Sequence, residues 1–145
     1  MALTLVAPQT KYTDAPLIDL TDRDTRERLS DGAVRAFFNI MEAWKATDTQ
    51  AMALLGGMSN GAFYALKKGG GKRLGEDRIR RVSYLVGIFK ALNILYDQEL
   101  ADRWITLPNS NRAFGGKPAL DYMLRGGLPA FQTVRRLLDA RRGGR

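Results

Sequence analysis

Between Glu76 and Tyr96 the apolar residues Ile79, Val82, Leu85, Val86, Phe89, Leu92 and Tyr96 return every three or four positions. That spacing puts seven side chains on one face of an α-helix and allows no alternating strand. Glu76 and Asp77 stand at its start, where acidic groups complement the helix dipole. A face this wide needs partners, and the same period supplies them on both sides. Val34, Phe37, Phe38, Met41 and Trp44 form a stripe in a helix expected from an N-cap at Ser30 to about Ala46. Leu128, Phe131, Val134, Leu137 and Leu138 form another near the end of the chain. No stretch shows useful period-two alternation, and the fold expected is all-α.

Shorter helices fill the intervals. Thr47-Asp48-Thr49-Gln50 has the form of a capping box and opens a helix over Ala51, Met52, Leu54 and Leu55. Gly56-Gly57-Met58-Ser59 is a turn, with Ser59 set to cap a helix from Asn60 to Lys68 whose inward residues are Ala62, Phe63 and Leu66. Gly69-Gly70-Gly71 stops it. Two short helices around a glycine-containing turn give a helix-turn-helix pattern over residues 30–73. A further turn or two from Gln98 to Ile105 brings Trp104 into the core. Residues 1–29, with Pro8, Pro16 and weak periodicity, read as an extended arm with at most a turn of helix.

Composition narrows the function. The 145 residues contain neither cysteine nor histidine. Disulfides, thiolate chemistry and the commonest metal ligand and general base are thereby removed. The acidic pairs Glu76/Asp77 and Asp97/Glu99 sit at helix ends, where they serve the dipole. Neither Gly71-Lys72 nor Gly116-Lys117 has the spacing of a phosphate-binding loop. The chain reads as a binding protein, not an enzyme, and requires no cofactor. No apolar run approaches the roughly 20 residues that span a bilayer, and no signal peptide is evident, so a cytoplasmic location with no membrane partner is expected.

The net charge of +8 is unevenly spread. Residues 33–74 hold six basic and two acidic side chains and residues 106–145 hold eight and two, while the rest are close to balance. Two basic blocks predict two acidic or phosphate-bearing partners. In the first, Asn60, Tyr64, Lys67 and Lys68 lie on the face of the second short helix opposite Phe63 and Leu66. Asn60 suits an adenine edge, Ser59 and Tyr64 suit phosphate oxygens, and Lys67, Lys68, Lys72 and Arg73 neutralise the backbone, which makes operator DNA the expected ligand. In the second block, Arg135, Arg136, Arg141 and Arg142 lie off the apolar stripe of the last helix. Gly143 and Gly144 then end the helix with the positive φ that glycine permits, leaving Arg145 on a flexible tip.

The run Pro108-Asn109, Phe114-Gly115-Gly116-Lys117-Pro118-Ala119-Leu120-Asp121, Gly126-Gly127 and Val134-Arg135-Arg136-Leu137-Leu138-Asp139 resembles the C-terminal toxin-binding domain of the MbcA/ParS/Xre antitoxins. With the less specific helix-turn-helix match the likeness covers roughly residues 30–145. It implies a helix-turn-helix part, residues 30–73, packed on a helical toxin-binding part, residues 76–145. It further implies a type II antitoxin, dimeric within its complex, whose cognate partner is a RES-domain toxin that consumes or transfers from NAD. Members of the family often end in a bulky apolar residue after the Gly-Gly, whereas Arg145 follows here. On this likeness the toxin-binding residues are Arg135, Arg141, Arg142, Gly143, Gly144 and Arg145, with arginine forks paired to toxin carboxylates. Phe114 and Leu128 are the expected apolar anchors. A stand-alone regulator whose C-terminal helices only dimerise is the alternative.

Overall fold

A computed structural model of the chain describes residues 23–69 and 74–143. Seven α-helices follow one another: α1 (Arg23–Trp44), α2 (Asp48–Leu54), α3 (Asn60–Lys67), α4 (Glu76–Leu95), α5 (Gln98–Trp104), α6 (Ala119–Gly126) and α7 (Leu128–Arg142). A single 3-10 turn, Arg112–Phe114, lies between α5 and α6. Among the described residues there is no strand; the one isolated β-bridge, Pro108 to Pro118, closes the loop around that turn. The all-α expectation holds, and no described helix is long and apolar enough to cross a membrane.

Helix α4 is the axis. It packs against α1, α5 and, most extensively, α7. Covered by these helices, it buries more than a single stripe. Ile88 and Ala91 are as inaccessible as the expected Ile79, Val82, Leu85 and Leu92, while Val86, Phe89 and Tyr96 lie at the margin. Glu76 and Asp77 begin α4 as expected and also pair along it with Arg80 and Arg81 at 2.8 and 2.9 Å.

The short helices are set by their caps. Thr47 and Gln50 exchange hydrogen bonds of 2.9 and 3.1 Å in the reciprocal box that opens α2. The Ser59 hydroxyl accepts from the Ala62 amide at 3.2 Å and opens α3. Phe63 and Leu66 are buried, but Ala62 is exposed, because α3 meets the body only along the line through those two residues. Phe63 closes that contact edge-on against Phe38 of α1, 5.5 Å between ring centres. Asp97 caps α5, and Trp104 and Ile105 enter the core.

Two expectations about α1 fail together. The chain is already helical at Arg23, inside the stretch read as an arm, and Ser30 is not a cap. Its hydroxyl is buried and accepts the Leu74 amide at 2.8 Å, tying the segment that enters α4 to the side of α1. A serine just before an apolar stripe reads as a cap from sequence alone; only the chain returning 44 residues later shows its use. The buried stripe of α1 is Phe37, Ile40, Met41 and Trp44, with Val34 and Phe38 at its edge.

Among the described residues one core runs from α1 to α7, and α2 also touches α6. Replacing Ser30 with Ala would leave a buried amide without an acceptor, and a loss of about 1–3 kcal/mol in denaturant unfolding is expected, with Ser30→Thr closer to the parent.

Candidate functional site

Helices α6 and α7 meet at a corner built on Gly127. Its φ of +64° and ψ of −148° belong to a region of backbone space open essentially to glycine alone. In that conformation its amide donates to the Met123 carbonyl at 3.0 Å and its own carbonyl accepts from Ala130 and Phe131 at 2.9 and 3.1 Å. One residue thus terminates α6 and begins α7, and Pro129 occupies the first turn, where a missing amide costs nothing.

The corner turns α7 back along α4. Ala130, Phe131, Val134 and Leu138 are buried there, with Leu128 and Leu137 packed at the edges. The apolar stripe of the last helix is therefore spent inside its own chain. Two arginines cross the seam. The Arg81 guanidinium sits 5.9 Å from the Phe131 ring centre, a cation over an aromatic face. The Arg135 side chain lies directly over Gly87 of α4, in space that any Cβ there would occupy. A glycine in the middle of a 20-residue helix is otherwise a weakness of roughly 1 kcal/mol; here it is a slot for a guanidinium.

Beyond the seam the helix ends in cations. Asp139 accepts from Arg135 Nε at 2.9 and 3.1 Å and meets Arg142 Nη1 at 3.5 Å. Arg141 Nη1 donates to the Tyr96 hydroxyl at 3.0 Å. Arg136 is exposed and reaches only Thr133. The basic residues of the last turn also face the negative end of the helix dipole, which favours them there. Gly143 donates to the Asp139 carbonyl at φ −72°, so it does not take the positive φ expected of it. Gly144 and Arg145 lie outside the described residues.

Phe114 is placed differently from its expected role. It is 2% exposed, edge-on to Trp104 and Tyr122 at 6.5 and 5.2 Å, and presents no surface to a partner. The 3-10 turn that carries it drives the ring inward. Leu128 keeps partial exposure at the α6–α7 corner. On α6 and just before it, Lys117, Asp121, Leu124 and Arg125 line a shallow hollow. Leu124 and Arg125 have no site role in the sequence reading, although Asp121 and Arg125 stand one turn apart on α6. Among the described residues no cluster of acidic side chains could hold a metal ion.

A basic helix end on a self-packed α-helical body narrows the comparison. Residues 90–144, from the last turns of α4 through α7, match the antitoxin Xre/MbcA/ParS C-terminal toxin-binding domain. The chain belongs to the Xre/MbcA/ParS antitoxin family. It is also 41% identical over 112 residues to the uncharacterized protein y4oB of Sinorhizobium fredii (strain NBRC 101917 / NGR234), an alignment covering 77% of this chain and 84% of that one. No solved structure gives a significant match. The region just described is thus a toxin-binding antitoxin domain, and a toxin is its partner.

The other basic surface of the antitoxin lies on α3, outside the matched domain. Asn60 and Lys68 are exposed at its two ends, and the Ser59 oxygen is occupied by its cap bond. Tyr64 and Lys67 converge on Asp48 at the start of α2, the hydroxyl on Oδ2 and the ammonium on Oδ1, each at 3.0 Å. The Lys67 bond foremost, then that of Tyr64, hold the Asp48 carboxyl below its ordinary pKa, and Asp48 in turn raises the Tyr64 phenol. With its folded pKa depressed, Asp48 contributes stability above the usual carboxylate range and loses it as pH falls through the lowered value. Asp48 had no assigned site role in the sequence, because its donors lie 16 and 19 residues away. Lys72 and Arg73 lie outside the described residues.

The slot over Gly87 makes a double-mutant cycle informative. Gly87→Ala should stabilise an Arg135→Ala background by about 0.5–1 kcal/mol through helix propensity. In the parent that gain should vanish or reverse, because the guanidinium must leave; equal effects in both backgrounds, read by thermal or denaturant melts, would show that the two residues are not coupled.

Proposed function

We propose that this antitoxin neutralises a RES-domain toxin, an enzyme that consumes NAD or transfers from it, by laying its C-terminal end into the toxin's active site. The observation that carries the reading is the state of the last turn of α7. Its apolar face is fixed on α4, while Arg135 and Arg142 share a single internal acid, Asp139, in partly exposed pairs. Such pairs are worth only ~0–1 kcal/mol each and exchange readily. A toxin carboxylate at the mouth of a nucleotide cleft can replace Asp139 and take a bidentate arginine bond. Arg141, Arg142, Gly143, Gly144 and Arg145 then form the tip that enters, with Leu128 and Arg135 at the rim. Phe114 has no part in this contact. Occlusion needs no chemistry from the antitoxin.

The same protein represses its own operon in this reading, with residues 30–73 as a helix-turn-helix and a homodimer matching a two-fold operator. Ser59, Asn60, Tyr64, Lys67, Lys68, Lys72 and Arg73 supply the DNA surface. A stand-alone regulator whose C-terminal helices only dimerise is the competing reading. The two part company on one experiment: co-expression and co-purification with a RES-type enzyme encoded beside it.

If the first reading holds, the toxin is tolerated only with this chain present and the two purify together. Deleting residues 141–145 should abolish rescue with little change in melting temperature, whereas Arg142→Glu should weaken toxin binding at least about tenfold, as expected for a charged hot spot. Retained rescue after the deletion would remove the tip from the mechanism. On the DNA side, Lys67→Ala with Lys68→Ala should weaken duplex binding and flatten its salt dependence by roughly 0.9 per lost phosphate contact.

A further inference from the structure

We propose that Tyr64 Oη and Lys67 Nζ form a phosphodiester site on the exposed face of α3, and that Asp48 keeps this site filled with its own carboxylate until DNA displaces it. The inference rests on the DNA-binding reading above and adds to it an internal competitor.

The geometry is that of an occupied anion site. Two donors of different kinds, a phenol and an ammonium, each take one oxygen of the same carboxylate at 3.0 Å. The two non-bridging oxygens of a phosphodiester carry the same charge and can accept the same pair of bonds. Tyr64 is 43% exposed, one of two large hydrophobic side chains so exposed among the described residues, and its hydroxyl is bonded to Asp48. The Lys67 and Asp48 side chains are 48% and 39% exposed, so solvent screens the pair and its exchange is cheap.

Asp48 is nevertheless a fixed competitor. It is the first residue of α2, immediately after Thr47, whose reciprocal bonds with Gln50 hold that helix start in place. When Tyr64 and Lys67 turn to a phosphate, the carboxylate remains next to the incoming charge. It lowers affinity for every sequence alike, and so raises the threshold that base contacts from Asn60 and its neighbours must overcome. Asp48 thereby reduces non-specific binding.

The test uses the full chain and a mixed-sequence duplex, with anisotropy measured over a range of salt concentrations. Asp48→Asn should tighten binding about fivefold at low salt, the size of one unit-charge contact in water. The salt slope should steepen by about one. Adding Lys67→Ala should cancel the gain. Glu99→Gln, the same change of charge on α5, should leave affinity within about twofold of the parent; an equal rise there would reduce the effect to net charge and overturn the site.

If the parent binds and Asp48→Asn binds equally or more weakly, the internal competitor is wrong while the DNA reading stands. If neither binds the duplex or the chain's own promoter, the DNA reading fails and the site goes with it. A measurement on the unaltered protein removes dependence on the variant's folding. The carboxyl carbon of Asp48 should shift on saturation with duplex, and an unmoved signal under saturating DNA overturns the proposal.

Discussion

Everything in this fold depends on α7 lying along α4. The buried faces of Phe131, Val134 and Leu138 meet a helix that also packs against α1 and α5, which puts α4 at the centre of the one core. Each fully buried side chain of this size is worth roughly 1.5–3 kcal/mol relative to exposure. The contact therefore belongs to the folding of the domain and is not held in reserve for a partner. The Gly127 corner sets the direction of approach and Gly87 sets its depth, since any side chain at Gly87 would meet Arg135.

Under the proposed occlusion, that constraint narrows the part of the antitoxin domain that meets a toxin. An amphipathic helix in isolation has two candidate surfaces, but in this chain the apolar one is gone. What is left is the arginine face, the last turn and whatever follows Gly143. Binding at such a surface draws on charge-assisted hydrogen bonds more than on apolar burial. The shape of a rigid helix end and the exchange of Asp139 for a partner's carboxylate then matter more than hydrophobic area. Pre-organisation favours this arrangement, because the arginines of a packed helix have less freedom to lose on binding than those of a free tail.

The elements themselves were largely legible. The start of α4, the box at Thr47 and Gln50 and the cap at Ser59 are local patterns, and local physics settles them. The misreadings have a common origin in contacts between residues distant in sequence. Ser30 sits where a cap would sit, yet its partner is the Leu74 amide. Phe114 stands in the run that carries the family resemblance, where it reads as an apolar anchor, and its burial depends on Trp104 and Tyr122 arriving from two other elements. An apolar side chain meant for a partner and one meant for the core are the same letter in a sequence. The slot that holds Arg135 is invisible for the same reason, since it is a glycine 48 positions earlier.

The two basic blocks, read at first as separate requirements for acidic partners, share a physical design. In each a single acid is placed among the donors: Asp48 between Tyr64 and Lys67, Asp139 between Arg135 and Arg142. Bringing cations together on a small protein with a net charge of +8 costs electrostatic energy, and an interposed carboxylate offsets part of it while keeping the donors aimed at a common point. The offset is weak because the pairs are solvated, which is the condition for an external anion to take the carboxylate's place. Strong internal pairs would have given a more stable protein with no receptive surface. Unpaired cations would have given an indiscriminate one, drawn to any polyanion in proportion to its charge.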